Sequence, residues 1–328
     1  MTRRASRVVS GSRVTGRLHL GNYVGALENW VRLQSEYRCF FFVADWHGLT
    51  TSYEDTTEFR SYVEEMYLDF LAVGLDPAQV VLFVQSDVKE HAELHLLLSM
   101  VTPLAWLERV PTYKEQLQQI AGREIATYGF LGYPVLQSAD VLMYRGELVP
   151  IGQDQLPHLE LCREVARRFN HLYGPVLPEP QALLTEVPWL PGIDGRKMSK
   201  SYENEIRLGS SPAEIEERVR RMVTDPARVH KSDPGHPEVC VAYRFHTLFN
   251  AAAREETETE CTRAGIGCVE CKQRLAKAII RYLAPVHERR EQYAAQPGLM
   301  QDIRQDGARR ARREAAAVLE SIREAMRV

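Results

Sequence analysis

The chain has 328 residues, 45% hydrophobic and 26% charged, with a formal net charge of -3, which reads as globular protein with sequence for about two domains of roughly 150 residues each. Six cysteines are too sparse for a disulfide scaffold, and the charge gives no global pull toward nucleic acid, so any RNA contact has to come from local basic patches. No run approaches the roughly 18 to 20 apolar residues that span a bilayer, and "MTRRASRVVSGS" at the N-terminus is basic without an apolar stretch behind it, so the expected location is cytoplasmic.

In chain order, "RVVSG" (7–11) reads as a buried strand. "YVGALENWVRLQSEY" (23–37) follows as a helix, with Leu27, Trp30, Val31 and Gln34 at helical spacing. "CFFFVA" (39–44) is a second strand, and "TTEFRSYVEEMYLDFLAVG" (56–74) is a helix stopped by Gly74. "VVLFVQ" (80–85) is a third strand, residues 90–145 are mostly helical, and "ELVPI" (147–151) leads into a helix from Asp154 to Asn170. Strands apolar on both faces and separated by helices predict an α/β fold with a doubly wound parallel sheet, carrying a helical insertion at 90–145. After "PWLPGIDG" (188–195) the texture changes to charged helices, which puts a domain boundary near residue 203. The last helix, about 302–327, has Val318, Leu319, Ile322 and Met326 on one stripe and needs a packing partner. Its "ARRARR" (308–313) reads as a solvated face or as a local RNA patch. Cys39 and Cys162 lie in apolar contexts and read as small core residues.

In such a sheet, ligands bind outside the carboxyl ends of the strands where strand order reverses, which singles out "SGSRVTG", "ADWHGLT" and "PIGQDQ". "SGSRVTGRLHLGN" (10–22) ends a strand in a glycine-bearing loop and opens a helix, so free N–H groups and the positive helix end suit a phosphate. "GRKMSKS" (195–201) offers two lysines, three residues apart, as point charges for a polyphosphate. Cys240, Cys261, Cys268 and Cys271 form C-x20-C-x6-C-x2-C, four thiolates that suit either a tetrahedral zinc ion or a [4Fe-4S] cube; the spacing does not choose.

With "HLGN" and "KMSKS" in place, the chain resembles the class I aminoacyl-tRNA synthetases, and most closely the tryptophan branch. "TGRLHLGNYVGALENW", "ADWH", "TYKEQ", "GYPVLQSADVLMY", "VPIGQDQLPHLEL", "RRFNHLYG" and "KMSKS" occur in that family's order. The resemblance implies a Rossmann-like catalytic domain (1–202), a helical anticodon-binding domain with the cysteines (203–300) and a C-terminal helix packing back on the body (301–328). It implies ATP-dependent attachment of L-tryptophan to tRNA(Trp) through a tryptophanyl-adenylate, with Mg²⁺ accompanying the nucleotide. His19, Asn22, Lys197 and Lys200 take the catalytic positions. Arg13, Val14, Thr15, Gly21, Asn22, Lys114, Gly152, Gln153, Asp154, Lys197, Met198, Ser199, Lys200 and Ser201 take the ATP-binding ones. Asn22 stands where the family's signature ends in histidine.

For the amino acid, the resemblance implies Val9, Gly11, His47, Tyr133, Gln137, Asp140 and Gln155. Tyr133, Gln137 and Asp140 fall at i, i+4 and i+7 of a predicted helix and share a face, and Asp140 matches the carboxylate that accepts the indole N–H. Tyrosine enzymes carry a similar trio, but usually with a tyrosine on the first strand where Val9 stands here. A subset of bacterial tryptophan enzymes holds a [4Fe-4S] cluster on cysteines of this form, which favours the cluster over zinc. A homodimer is also implied. The alternatives are a tyrosyl enzyme, or a synthetase-like paralogue that mainly binds nucleotide, RNA or protein.

Overall fold

A computed structural model describes residues 6–110, 127–184 and 190–328. Five parallel strands, β1 (Arg7–Arg13), β2 (Arg38–Ala44), β3 (Val81–Val84), β4 (Leu148–Ile151) and β5 (Gln181–Leu184), form one sheet in the order β3-β2-β1-β4-β5. The chain winds outward from β1 in one direction and then, from β4, in the other. The reversal lies between β1 and β4, where a crevice opens at the carboxyl ends.

Alternation along the strands explains why both faces are covered. Val8, Phe41, Val43, Leu82 and Val84 enter one core, while Val9, Phe40, Phe42, Val81 and Phe83 enter the other. β5 was not expected: its four residues, "QALL", are partly exposed at the sheet edge and too short to show a period.

The helix expected at 23–37 is composite. Leu20–Asn22 leads through a π-helical turn, Tyr23–Leu27, into Glu28–Leu33, and the helix stops short of residue 37. The helix expected at 56–74 spans Phe59–Ala72, with Gly74 at φ 106° where a side chain would be strained. The insertion contains helices Glu90–Ser99, Leu104–Glu108 and Tyr128–Leu142. The helix after β4 begins at Leu156, not Asp154, because a 3₁₀ turn, Gln153–Gln155, comes first; it runs to Tyr173.

Beyond the signature loop the chain continues as helices Pro212–Arg220, Val241–Phe249, Arg254–Thr262, Cys268–Ala294 and Pro297–Met326. The apolar faces of Pro212–Arg220, Val241–Phe249 and Cys268–Ala294 share one core with the sheet, from Val8 and Phe41 through Trp30 to Val219, Phe245, Leu275 and Ile279, while the last helix sends Ala311, Ala315, Val318, Leu319 and Ile322 into the other. The last helix lies on β3 so closely that a Cβ on Gly307 would sit 1.7 Å from the Leu82 carbonyl oxygen. Two of the four arginines of its basic run take part in this docking: Arg310 donates to the Pro77 carbonyl at 2.6 Å and Arg312 to the Asp87 carbonyl at 2.8 and 2.5 Å. Arg309, Arg312 and Arg313 are exposed, as expected for a solvated helix face, while Arg310 is half-buried. Among the described residues no helix is long and apolar enough to cross a membrane.

Candidate active site

A cavity of about 400 Å³ opens at the β1/β4 reversal, within the ordinary range for small-molecule sites. All seven residues expected to meet the amino acid line it: Val9, Gly11, His47, Tyr133, Gln137, Asp140 and Gln155. Val9 and Gly11 come from β1, and Tyr133, Gln137 and Asp140 from one face of the helix Tyr128–Leu142. His47 was expected at a strand exit. The structure puts it at the exit of β2, in the first turn of a helix, Asp45–Ser52, that starts directly after the strand. Gly11 is required by packing: a Cβ there would meet the Phe42 ring at 2.3 Å, and Phe42 is buried and stacked on Phe83.

Most of the lining is apolar, and its one buried carboxylate is Asp140, 2% exposed. Gln85 Nε2 (2.8 Å) and His91 Nδ1 (2.7 Å) meet Oδ1, while His47 Nε2 (2.8 Å) meets Oδ2. Burial alone would raise the pKa of Asp140, but the hydrogen bonds from His47 and His91 outweigh it and hold the carboxyl well below the usual range. A carboxylate offers about four lone-pair positions. Oδ1 has two filled and Oδ2 one, so the remaining acceptor position belongs to Oδ2. Across the cavity, Tyr133 Oη lies 2.8 Å from His158 Nε2, and burial lowers the His158 pKa to about 4.

Beside the cavity stands the expected phosphate apparatus. His19 caps the helix Leu20–Asn22: its Nδ1 accepts from the Asn22 N–H at 3.3 Å, and Asn22 Oδ1 accepts from the His19 N–H at 3.0 Å. Nδ1 being an acceptor, the ring proton sits on Nε2, where it can be donated. Burial, then the nearby Lys200 charge, lower the His19 pKa to about 4, so the ring is neutral at pH 7. Asn22 thus completes a capping box here.

The "KMSKS" loop reaches this point because residues 18–20 pair with 206–208, Leu20 N–H donating to Ile206 O (2.9 Å) and Leu208 N–H to Leu18 O (3.0 Å). Met198 is buried, with its sulfur against the Gly21 position. Lys200 Nζ lies 3.4 Å from Thr15 Oγ1, and burial lowers its pKa to about 8. Buried Asn204 ties the loop down, accepting from Ser199 N–H (2.8 Å) and donating to Lys197 O (3.1 Å) and Asp194 Oδ1 (2.7 Å). Arg13 and Gly152 line the cavity, Val14 is buried beneath the loop, and Gln153 and Asp154 occupy the turn after β4. Lys197 is exposed, and Ser201 lies in the turn Lys200–Tyr202. Lys114 falls outside the described residues.

A larger cleft, about 820 Å³, lies between the helices Phe59–Ala72 and Pro297–Met326. Its Arg304 is paired with Asp87 at 2.6 and 2.9 Å, and none of the expected site residues lines it. Chemistry therefore points to the smaller cavity.

The family model for class I tRNA synthetases (W and Y) matches residues 1–284. The chain belongs to this synthetase family. Tryptophan–tRNA ligase of Thermotoga maritima is 52% identical to this synthetase over 323 residues, 98% of each chain. That of Ralstonia nicotianae is 45% identical, again over 98% of each. Among solved structures, the tryptophanyl-tRNA synthetase of Campylobacter jejuni complexed with ADP and tryptophan superposes with a TM-score of 0.90 at 33% identity, covering 98% of this chain and 100% of that one. The tyrosyl-tRNA synthetase of Archaeoglobus fulgidus, at 21% identity and a TM-score of 0.67, shares the fold.

The C-terminal cysteines of this synthetase gather where three helices meet. Cys240 precedes Val241–Phe249, Cys261 lies in Arg254–Thr262, and Cys268 and Cys271 open Cys268–Ala294. Burial, then the charges of Cys240, Cys261 and Cys268, push the Cys271 thiol up to about 12. Arg228 Nη1 lies 3.7 Å from Cys261 Sγ, and His246 Nε2 lies 3.4 Å from Cys271 Sγ. The expectation of a ready-made ligand group is not met: among the described residues no three His, Cys, Asp or Glu side chains form a group that could hold a metal ion. The thiols share a neighbourhood, but two of them are bonded to Arg228 and His246. Cys39 and Cys162 are core residues as expected, with burial raising each thiol to about 12.

Sequence reasoning missed Gln85, His91, Tyr144, His158 and Asn204. Gln85 ends the run "VVLFVQ", and a polar residue closing an otherwise apolar strand at the binding edge was the one signal available for it. The others sit in helices or loops, and only the fold turns them to the site.

Proposed function

We propose that this synthetase is a tryptophan–tRNA ligase, joining L-tryptophan to tRNA(Trp) by way of a tryptophanyl-adenylate made from ATP with Mg²⁺. The observation that carries the reading is Asp140: a buried, ionised carboxylate, the only carboxylate among the described residues lining the cavity, with one acceptor position left on Oδ2. An indole N–H fills that position, and a substrate without a donor there leaves it unpaired, a large loss in a buried site. Tyr133 and Gln137 take the ammonium end, and Val9, Gly11, His47 and Gln155 line the rest of the pocket.

The phosphates of ATP lie at His19, Gly21 and Asn22, with Arg13, Val14 and Thr15 closing over them; Lys114, outside the described residues, is assigned to the phosphates on the family resemblance alone. Gly152, Gln153 and Asp154 hold the ribose and adenine. The tryptophan carboxylate attacks the α-phosphorus, pyrophosphate leaves, and Lys197 and Lys200 stabilise the charge that builds on it, while Met198, Ser199 and Ser201 carry the loop. Neutral His19 donates from Nε2 without desolvating a cation. Pyrophosphate exchange tests the assignment: exchange with tryptophan and none with tyrosine is expected, and the reverse pattern overturns it.

We further propose that residues 1–202 carry the chemistry, 203–300 read the anticodon and 301–328 brace the body, in a cytoplasmic homodimer. Cys240, Cys261, Cys268 and Cys271 would hold a [4Fe-4S] cluster that orders residues 261–271. Four thiols within electrostatic reach of one another support this, because a bound cationic core offsets the burial and mutual repulsion that raise the pKa of Cys240, Cys261 and Cys271. So does Gly235, where any Cβ would stand 2.4 Å from Cys261 Sγ. Anaerobic purification with iron, sulfide and zinc analysis tests it; zinc without iron replaces the cluster with a zinc site.

A further inference from the structure

Behind the cavity, three side chains that do not line it converge on Asp140 or on each other. His91 is fully buried between Asp140 and Tyr144, with Nδ1 2.7 Å from Asp140 Oδ1 and Nε2 2.6 Å from Tyr144 Oη. Tyr144 is itself fully buried, stacked on Phe40 at 4.8 Å and tilted against Phe83 at 5.4 Å. Gln85, also fully buried, brings Nε2 to 2.8 Å from the same Oδ1.

We propose that His91, held in place by Tyr144 and assisted by Gln85, is a positioning residue for tryptophan selection: it fixes the Asp140 carboxylate so that Oδ2 alone is presented to the indole N–H. The inference rests on the reading of Asp140 as the indole acceptor. Rotation of an aspartate carboxylate about χ2 is soft and roughly two-fold, so packing alone does not aim it. A ring nitrogen 2.7 Å from an ionised carboxylate oxygen can only donate. Two donors on Oδ1 close that oxygen and set the plane of the group, and the plane sets the direction in which Oδ2 accepts. A histidine ring can itself turn about χ2, exchanging its nitrogens for carbons. The Tyr144 hydroxyl on Nε2 removes that freedom, and the aromatic rings of Phe42 and Phe83, 5.9 and 5.8 Å from the imidazole, wall it in. The order of action is therefore Tyr144 to His91 to Asp140 to substrate.

The test compares tryptophan with its isostere in which sulfur replaces the indole N–H, by pyrophosphate exchange on the full-length enzyme. The ratio of kcat/KM for the two substrates reads the bond to Oδ2. His91→Phe is expected to lower the ratio about tenfold, through a higher KM for tryptophan, while changing the sulfur substrate less than about twofold. His91→Asn, which keeps a donor near Nδ1, is expected to recover most of the ratio. Tyr144→Phe, a change of one atom, lowers it about threefold and carries the test if His91→Phe does not fold. An equal loss on both substrates in the His91 and Tyr144 variants marks a purely structural role and overturns the proposal, as does an unchanged ratio. Asp140→Asn separates the two levels. If it leaves the ratio unchanged, the indole-acceptor reading fails; if it collapses the ratio while His91→Phe and Tyr144→Phe do not, the positioning role alone fails.

Discussion

Replacing Lys200 with methionine removes a charge from a place that does not solvate it well. The ammonium lies 3.4 Å from Thr15 Oγ1 and against the Gly16 turn, and burial, partly opposed by Glu205, takes its pKa from 10.5 to about 8. At about 1.36 kcal/mol per pKa unit the charged form bears a penalty of about 3 kcal/mol. Solvent screening at this half-buried group cuts the figure to about 1–2 kcal/mol. At pH 7 the folded and unfolded chains both hold the proton, so the whole penalty is present, and Lys200→Met is expected to be more stable by that amount. Between about pH 8 and 10.5 the folded wild type releases its proton first, the unfolded chain binds more protons, and wild-type stability rises with pH. The advantage of the variant therefore shrinks toward pH 10. Pyrophosphate exchange should fall about a hundredfold or more, since the cation proposed to stabilise the leaving group is gone. Urea midpoints at pH 7 and near pH 9.5, with exchange assayed on the same samples, measure both effects. A variant less stable than wild type at pH 7, or an advantage that does not change with pH, refutes the reasoning.

Gly11→Ala drives a methyl into the Phe42 ring, which Phe83 backs, so it is expected to cost about 1–3 kcal/mol in chemical denaturation and to raise KM for tryptophan. Gly307→Ala meets a backbone carbonyl at 1.7 Å and has no flexible neighbour to displace; it should destabilise by about 3 kcal/mol or more and expose the last helix to proteolysis, with less effect on KM for either small substrate. The His19 ring should titrate near pH 4 by NMR, not near 6.5, and ATP affinity should show no loss attributable to it between pH 6 and 8.

The catalytic half was legible because its strands are apolar on both faces and its two signature segments are local in sequence. The five strands differ instructively: "CFFFVA" carries its own signal, whereas "QALL" became a strand only because β4 offered it an edge. Of the candidate site, the seven side chains expected to line the cavity were readable as motif positions, and those that hold them in place were not. Nothing near "NEI" (204–206) advertises that the Asn204 amide pins the signature loop, and nothing in "KEHAEL" (89–94) marks His91 as facing a carboxylate 49 residues away. The cysteines show the converse, since a ligand-like spacing was plain in the sequence while the structure has two of those thiols engaged by Arg228 and His246.

By itself the sequence determined the fold class, the loops proposed to handle phosphate and the helical face bearing Tyr133, Gln137 and Asp140, because periodicity and short-range turn chemistry are written in neighbouring residues. Only the tertiary structure decided which oxygen of Asp140 is open, why Lys200 is poorly solvated and where "ARRARR" spends its charges. Each of those depends on burial and on donors from distant elements, and burial is a property of the packed chain that no local pattern contains.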